Sequence, residues 1–103
     1  MIDEQTLYNL NIHDDANEML YAHVRFVANV SVPAARKLRT TLYKAIVSLE
    51  KMPHRCPVYQ THRAAGVYCR LIVGRYQIIF SINEADRIVS IRYILDSRQE
   101  NDI

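Results

Sequence analysis

The chain has 103 residues, half of them hydrophobic, and a formal net charge of +2 at pH 7. That length suits one domain, 1–103, with a single modest core that needs neither disulfides nor a metal, and the composition excludes a disordered chain. The charge is uneven: Asp3, Glu4, Asp14, Asp15 and Glu18 face only Arg25 in the first thirty residues, whereas Arg36, Lys37, Arg39, Lys44, Lys51, Arg55, Arg63, Arg70 and Arg75 face only Glu50 in the next fifty. A positive field of that kind attracts a polyanion or an acidic protein.

Gln5 to Ile12 alternates, with Tyr8, Leu10 and Ile12 on one side, and predicts a short first strand that joins a sheet. Asp14 or Asp15 is placed to cap a helix whose apolar stripe is Ala16, Met19, Leu20, His23, Val24 and Val27. His23 lies on that stripe and reads as a packed, hydrogen-bonded histidine. Ser31 caps a second helix and Pro33 fits its opening turn. This helix is expected to run to about Met52, burying Ala35, Leu38, Leu42, Ala45, Ile46 and Leu49 while Arg36, Lys37, Arg39 and Lys44 face outward. Pro53 to Gly66 loses periodicity and reads as a basic connecting loop.

From Val67 to Leu95 apolar and polar residues alternate at period two, with breaks at Gly74-Arg75 and Asn83-Glu84-Ala85-Asp86, which predicts a three-stranded antiparallel meander. Parity puts Val67, Cys69, Leu71 and Val73, then Tyr76, Ile78, Phe80 and Ile82, then Val89, Ile91, Tyr93 and Leu95 on one face. The other face carries Tyr68, Arg70, Ile72, Gln77, Ile79, Ser81, Ile88, Ser90, Arg92 and Ile94. Two helices cannot bury their stripes on each other alone, and one sheet face lacks a cover. The expected fold is therefore α+β: an N-terminal strand, a helical hairpin and the meander, with the helices packed on one face of a four-stranded sheet.

There is no Gly-rich phosphate loop, no His-Glu-x-x-His and no nucleophile elbow. His54, Cys56, His62 and Cys69 match no familiar zinc spacing, and parity sends Cys69 into the core, so neither a metal nor a cofactor is expected. Two cysteines without Cys-x-x-Cys spacing, no signal-peptide pattern and no bilayer-length apolar run predict a cytoplasmic protein away from membranes. Histidines, tyrosines and arginines around a groove suit phosphodiester cleavage, and they suit a basic binding surface with interleaved aromatics equally well.

Taken in order, His23-Val24-Arg25-Phe26-Val27, Ser31, Ala34-Ala35, Leu38, Leu42, Ala45-Ile46, Ser48-Leu49-Glu50, Met52-Pro53-x-Arg55-x-Pro57, Tyr68-x-Arg70-Leu71-x-Val73-x-x-Tyr76-x-Ile78-x-Phe80-x-Ile82 and Val89-x-Ile91-x-x-Ile94-x-Asp96-x-Arg98 resemble the RelE/ParE superfamily, toxins of type II toxin–antitoxin modules. The resemblance spans nearly the whole chain. It implies growth inhibition, of the kind that stabilises plasmids, by a toxin neutralised by a cognate acidic antitoxin that folds on binding. Two mechanisms divide the family: RelE-like members cleave messenger RNA at the ribosome without a metal, and ParE-like members bind DNA gyrase. An arginine of the RelE pattern falls here on Gln77, Arg98 is retained, the tail tyrosine has no counterpart, and the His-Tyr pair of a related branch falls on Ile94 and Leu95.

These departures favour the ParE-like mode. If the chain is a ribonuclease, Arg98, Tyr93, His54 and His62 are the catalytic candidates. The target-binding candidates are Arg70, Gln77, Arg92, Arg98, Arg55 and Arg63, and the antitoxin-binding candidates are Arg36, Lys37, Arg39 and Lys44. A homodimer stays open. Outside the family, the alternative is a non-toxic module that binds nucleic acid or the ribosome.

Overall fold

Ser31 shows how local chemistry sets the frame. In the computed structural model, whose described residues are 7–60 and 66–98, its hydroxyl accepts from the Ala34 amide at 3.2 Å, capping a helix with Pro33 in the first turn. The elements are β1 (Asn9–Ile12), α1 (Asp14–Ala28), α2 (Val32–Ser48), a 3-10 turn (Pro53–Arg55), β2 (Val58–Tyr59), β3 (Tyr68–Val73), β4 (Tyr76–Asn83) and β5 (Ile88–Asp96). The α+β class is as expected, but the sheet has five strands rather than four, in the order β1-β5-β4-β3-β2. Nor is it wholly antiparallel, because β1 runs parallel to β5, with Asn9 opposite Ile88 and Ile12 opposite Ile91. The connection from β1 is long enough for a parallel pairing because the helical hairpin lies within it.

Four boundaries differ from the sequence reading. β1 begins at Asn9, and Gln5 lies outside the described residues. The N-cap of α1 is His13, with no side-chain cap, while Asp14 and Asp15 occupy the first turn, where their charge suits the positive helix end. α2 stops at Ser48 rather than near Met52, because the carbonyl of Glu50 turns away to accept from the Tyr8 amide at 2.9 Å and ties the helix exit to the start of β1. The expected loop after Pro53 contains β2, where Val58 and Tyr59 pair with Cys69 and Tyr68.

The helices cover one sheet face. Ala16 and Leu20 of α1 and Leu42 and Ile46 of α2, with Leu49 beyond it, pack in one core with Tyr76, Ile78, Phe80, Val89 and Ile91. Phe80 is fully buried there, and truncating such a ring costs about 3–5 kcal/mol. Cys56 joins Cys69 in this core, and burial pushes both thiols up from their ordinary pKa.

Alternation fails in β5. Ile79 opposes Tyr93 but Phe80 opposes Ile91, so Arg92 is an extra residue, a β-bulge. Beyond it the faces exchange: Ile94 is in the helix-side core, whereas Leu95 packs with Tyr68 and Ile79 on the opposite side, with Tyr59 and Tyr93 against them. The parity assignment of Tyr93 and Leu95 to the covered face, and of Ile94 to the other, is corrected by this one inserted residue.

Candidate functional site

The sheet face away from the helices is roofed by tyrosine and arginine rather than left bare. Ile79 at its centre is fully buried. The Arg70 guanidinium on β3 lies 5.0 Å over the Tyr59 ring, and that of Arg92 lies 5.8 Å over Tyr68. Arg70 donates from Nη1 to Gln77 Oε1 at 3.2 Å, and Gln77 Nε2 donates to Ser97 Oγ at 2.9 Å. Gln77 is itself buried, so its geometry suits aiming the Arg70 guanidinium, whose Nε is also buried without an acceptor among the described residues. Arg70, Gln77 and Arg92 thus share one face with Tyr59, Tyr68 and Tyr93.

The other candidates are dispersed. Arg98 turns back onto Asp96, its amide donating to Oδ1 at 3.0 Å and its Nη2 to Oδ2 at 3.1 Å. Asp96 is 5% exposed and lines, with Ala22, His23, Phe26 and Tyr76, a cavity of about 240 Å³ on the helix side. Burial alone would raise its carboxyl, but the hydrogen bonds and charge of Arg98 outweigh it and hold the group below its ordinary value. His23 is the packed histidine expected, with Nε2 2.7 Å from the Ile94 carbonyl and its ring against Tyr76. Arg55 spends its guanidinium on the end of α2, donating to the carbonyls of Ser48, Lys51 and Met52 and to Ser48 Oγ. His54 sits at the β4–β5 turn, 2.9 Å from Glu84 Oε2. Since β4 runs from Tyr76 beside Asp96 to Asn83 beside Glu84, roughly 23 Å of strand separates Arg98 from His54. His62 and Arg63 lie outside the described residues.

The antitoxin candidates Arg36, Lys37, Arg39 and Lys44 are all exposed on α2. Lys37 and Arg75 stand on opposite lips of a groove of about 590 Å³ with an apolar floor of Ala34, Leu38 and Val73. The groove adjoins the outer edge of β3. Arg70 donates its amide outward to the Pro57 carbonyl, and two residues on, the backbone of Ile72 faces the same way with no strand beside it among the described residues. The Ile72 side chain is 59% exposed.

The family model described as the ParE toxin of type II toxin–antitoxin systems, parDE, matches residues 10–101. The chain belongs to the ParE toxin family. No curated protein matches the sequence. Two solved structures share the fold of this ParE-family chain. One, the RelBE2 toxin–antitoxin complex of Mycobacterium tuberculosis, aligns with a TM-score of 0.64 at 18% identity over 92% of this chain and 97% of that one. The other, the archaeal RelE–RelB complex of Pyrococcus horikoshii OT3, aligns with a TM-score of 0.59 at 20% identity over 91% and 99%.

Sequence reasoning missed three participants in this ParE-family chain. Tyr59 sat in an expected loop, Asp96 lay just past the end of the expected meander at Leu95, and Glu84 was a turn residue. Asp96 had a usable signal, being an acid two residues before Arg98 at the end of a strand. Glu84 had none, since it meets His54 and Tyr8 only through the fold. Among the described residues no three His, Cys, Asp or Glu side chains gather to hold a metal, and no helix is long and apolar enough to cross a membrane.

Proposed function

We propose that this ParE-family toxin arrests growth in the cytoplasm by binding DNA gyrase through the sheet face of Arg70, Arg92 and their tyrosines, and that it cuts no RNA. The observation that supports this reading is the dispersal of the three described catalytic candidates: His54 is engaged with Glu84 at one end, Tyr93 lies mid-sheet and Arg98 is paired with Asp96 at the other end. A general base and a phosphate-stabilising cation must meet within hydrogen-bonding reach of one reacting group. A binding surface asks only for a rigid array of aromatic and guanidinium groups, the residue types that dominate interface energetics.

A cognate antitoxin is the second part of the proposal. Both structural relatives are complexes of a toxin with an antitoxin. Here an acidic segment that folds on binding fits the cationic face of α2, with Lys37 and Arg75 on the lips of the groove and the open edge of β3 beside it. Purified chain should inhibit gyrase supercoiling. Brief induction should leave messenger RNA uncut in ribosome profiling, and codon-phased cleavage lost on single substitution of His54, Tyr93 or Arg98 would overturn the binding mechanism. Failure to co-purify with the product of an adjacent gene would overturn the antitoxin part.

A further inference from the structure

A third concavity, of about 450 Å³, opens at the β4–β5 turn, lined by Tyr8, Met52, His54, Arg55 and Arg87. It shares no residue with the arginine–tyrosine sheet face or the α2 groove, and takes in Arg55 from the expected target-binding set. Three of its five lining side chains are basic, and the adjacent carboxylate, Glu84, is already engaged by three of its neighbours. Tyr8 Oη donates to it at 2.7 Å, His54 Nε2 lies 2.9 Å away and Arg87 Nη1 lies 3.4 Å away. The bonds from His54 and Tyr8 hold the Glu84 carboxyl below its ordinary pKa, so it stays an anion that faces its own donors. With Nε2 turned to Glu84, His54 has Nδ1 left for another group.

Arg87 is held more tightly than turn geometry requires. Its guanidinium stacks on Tyr8, with Cζ 4.2 Å above the ring, and its Nε is buried without an acceptor among the described residues. A buried N–H in that state is rare in folded proteins and asks for a missing partner. Backbone strain points to the same place. Met52 and Arg87, with φ of 50° and 53°, are the two non-glycine residues of positive φ among the described residues, and both line this concavity. Strained backbone that the surroundings hold in place collects at ligand clamps.

We propose that this concavity binds a phosphoryl group, with Arg87 as its donor, Arg55 supplying charge, His54 beside it, and Met52 packing on the nucleoside attached to it. Phosphate fits better than carboxylate because two guanidinium side chains, Arg55 and Arg87, line the concavity, and a phosphate monoester brings about −1.5 to −2 charge to them at pH 7 where a carboxylate brings one. The shared chemistry is a nucleoside 5′-phosphate, either free or at the end of a strand.

The test is side-chain NMR of the full-length chain, following the Arg87 Nε–Hε and His54 ring signals during titration, at constant ionic strength, with inorganic phosphate, adenosine 5′-monophosphate and a 5′-phosphorylated RNA tetranucleotide. Saturable shifts at Arg87 and His54 are expected, with the monophosphate tighter than inorganic phosphate. Arg87→Gln should weaken binding about tenfold or more, as loss of a charge-assisted contact does, and Arg25→Gln, at an exposed position on α1, should leave it unchanged. Tighter binding of the tetranucleotide marks a strand end as the ligand, and tighter binding of the monophosphate marks a free nucleotide. Absence of saturation by about 10 mM ligand, shifts on Arg70 and Arg92 in place of Arg87, or equal binding by Arg87→Gln overturns the proposal. If Arg87→Gln fails to fold, the wild-type shifts and a His54→Gln titration decide it.

Discussion

Arg70→Ala separates the two jobs of that side chain, holding the sheet face together and meeting a target. In the free protein the substitution removes a 3.2 Å charge-assisted bond to Gln77, worth about 1.5–3 kcal/mol, and a cation–π contact with Tyr59 worth about 0.5–1 kcal/mol. It also removes the buried Nε that has no acceptor, which returns about 1–3 kcal/mol. The balance is a loss of about 1 kcal/mol, or a melting temperature lower by about 4–8 °C for a domain of this size. If Arg70 contacts the target, its truncation costs at least about 2 kcal/mol of binding, some 30-fold in the concentration needed to inhibit. Thermal melting and a supercoiling titration on one preparation read both numbers. A soluble Arg70→Ala protein that melts in the expected range and inhibits as well as wild type would refute the role of this face. A fall beyond about 15 °C would show that Arg70 is scaffold instead.

Three further outcomes follow from named contacts. Asp96 has a depressed carboxyl, so its pairing with Arg98 contributes stability above the ordinary aspartate value that is lost as pH falls through the lower folded one. Asp96→Asn should therefore flatten the loss of melting temperature between about pH 5 and pH 2, and an identical acid limb in the two proteins would contradict this. Ser31→Ala should cost about 1 kcal/mol, read by urea unfolding, through loss of the bond from the Ala34 amide. Lys37→Glu should weaken antitoxin binding more at low salt than at high salt, and a salt-independent effect would mean that charge is not what steers the partner to the groove.

The helices were legible because each has one buried stripe and one polar face, and Ser31 and Pro33 are local signals that need no tertiary knowledge. The strand β5 was legible as a strand but not in its facing. Ser90 and Arg92 keep the alternation only as far as Arg92, and Tyr93, Ile94 and Leu95 after it are all hydrophobic, so an inserted residue there leaves no gap in the pattern. The two-residue β2 is too short for any period to show. For the site, parity brought Arg70, Gln77 and Arg92 together correctly, because β3, β4 and the first half of β5 keep their alternation. Arg55 was read as a cation of the basic stretch, and Arg98 as the arginine retained in the family resemblance. Their partners, the carbonyls ending α2 and the buried Asp96, are products of where the backbone turns.

The bulge at Arg92 links this fold to the use proposed for it. A regular β5 would alternate Arg92 outward and Tyr93 inward, then send Ile94 outward and bury Leu95, leaving Asp96 on the same side as Gln77. With one extra residue, Arg92 and Tyr93 both reach the open face, where Arg92 stacks on Tyr68 and Tyr93 packs against the cluster around Ile79. Ile94 then returns to the core and its carbonyl meets His23, while Asp96 faces the helix-side cavity and draws Arg98 with it. One inserted residue thus removes a carboxylate from the arginine–tyrosine face and leaves Arg70 and Arg92 there without a carboxylate partner among the described residues. It takes from the same face the retained arginine that an RNA-cleaving arrangement would use. On this geometry the proposed binding face and the withdrawal of Arg98 from it have a single cause in β5.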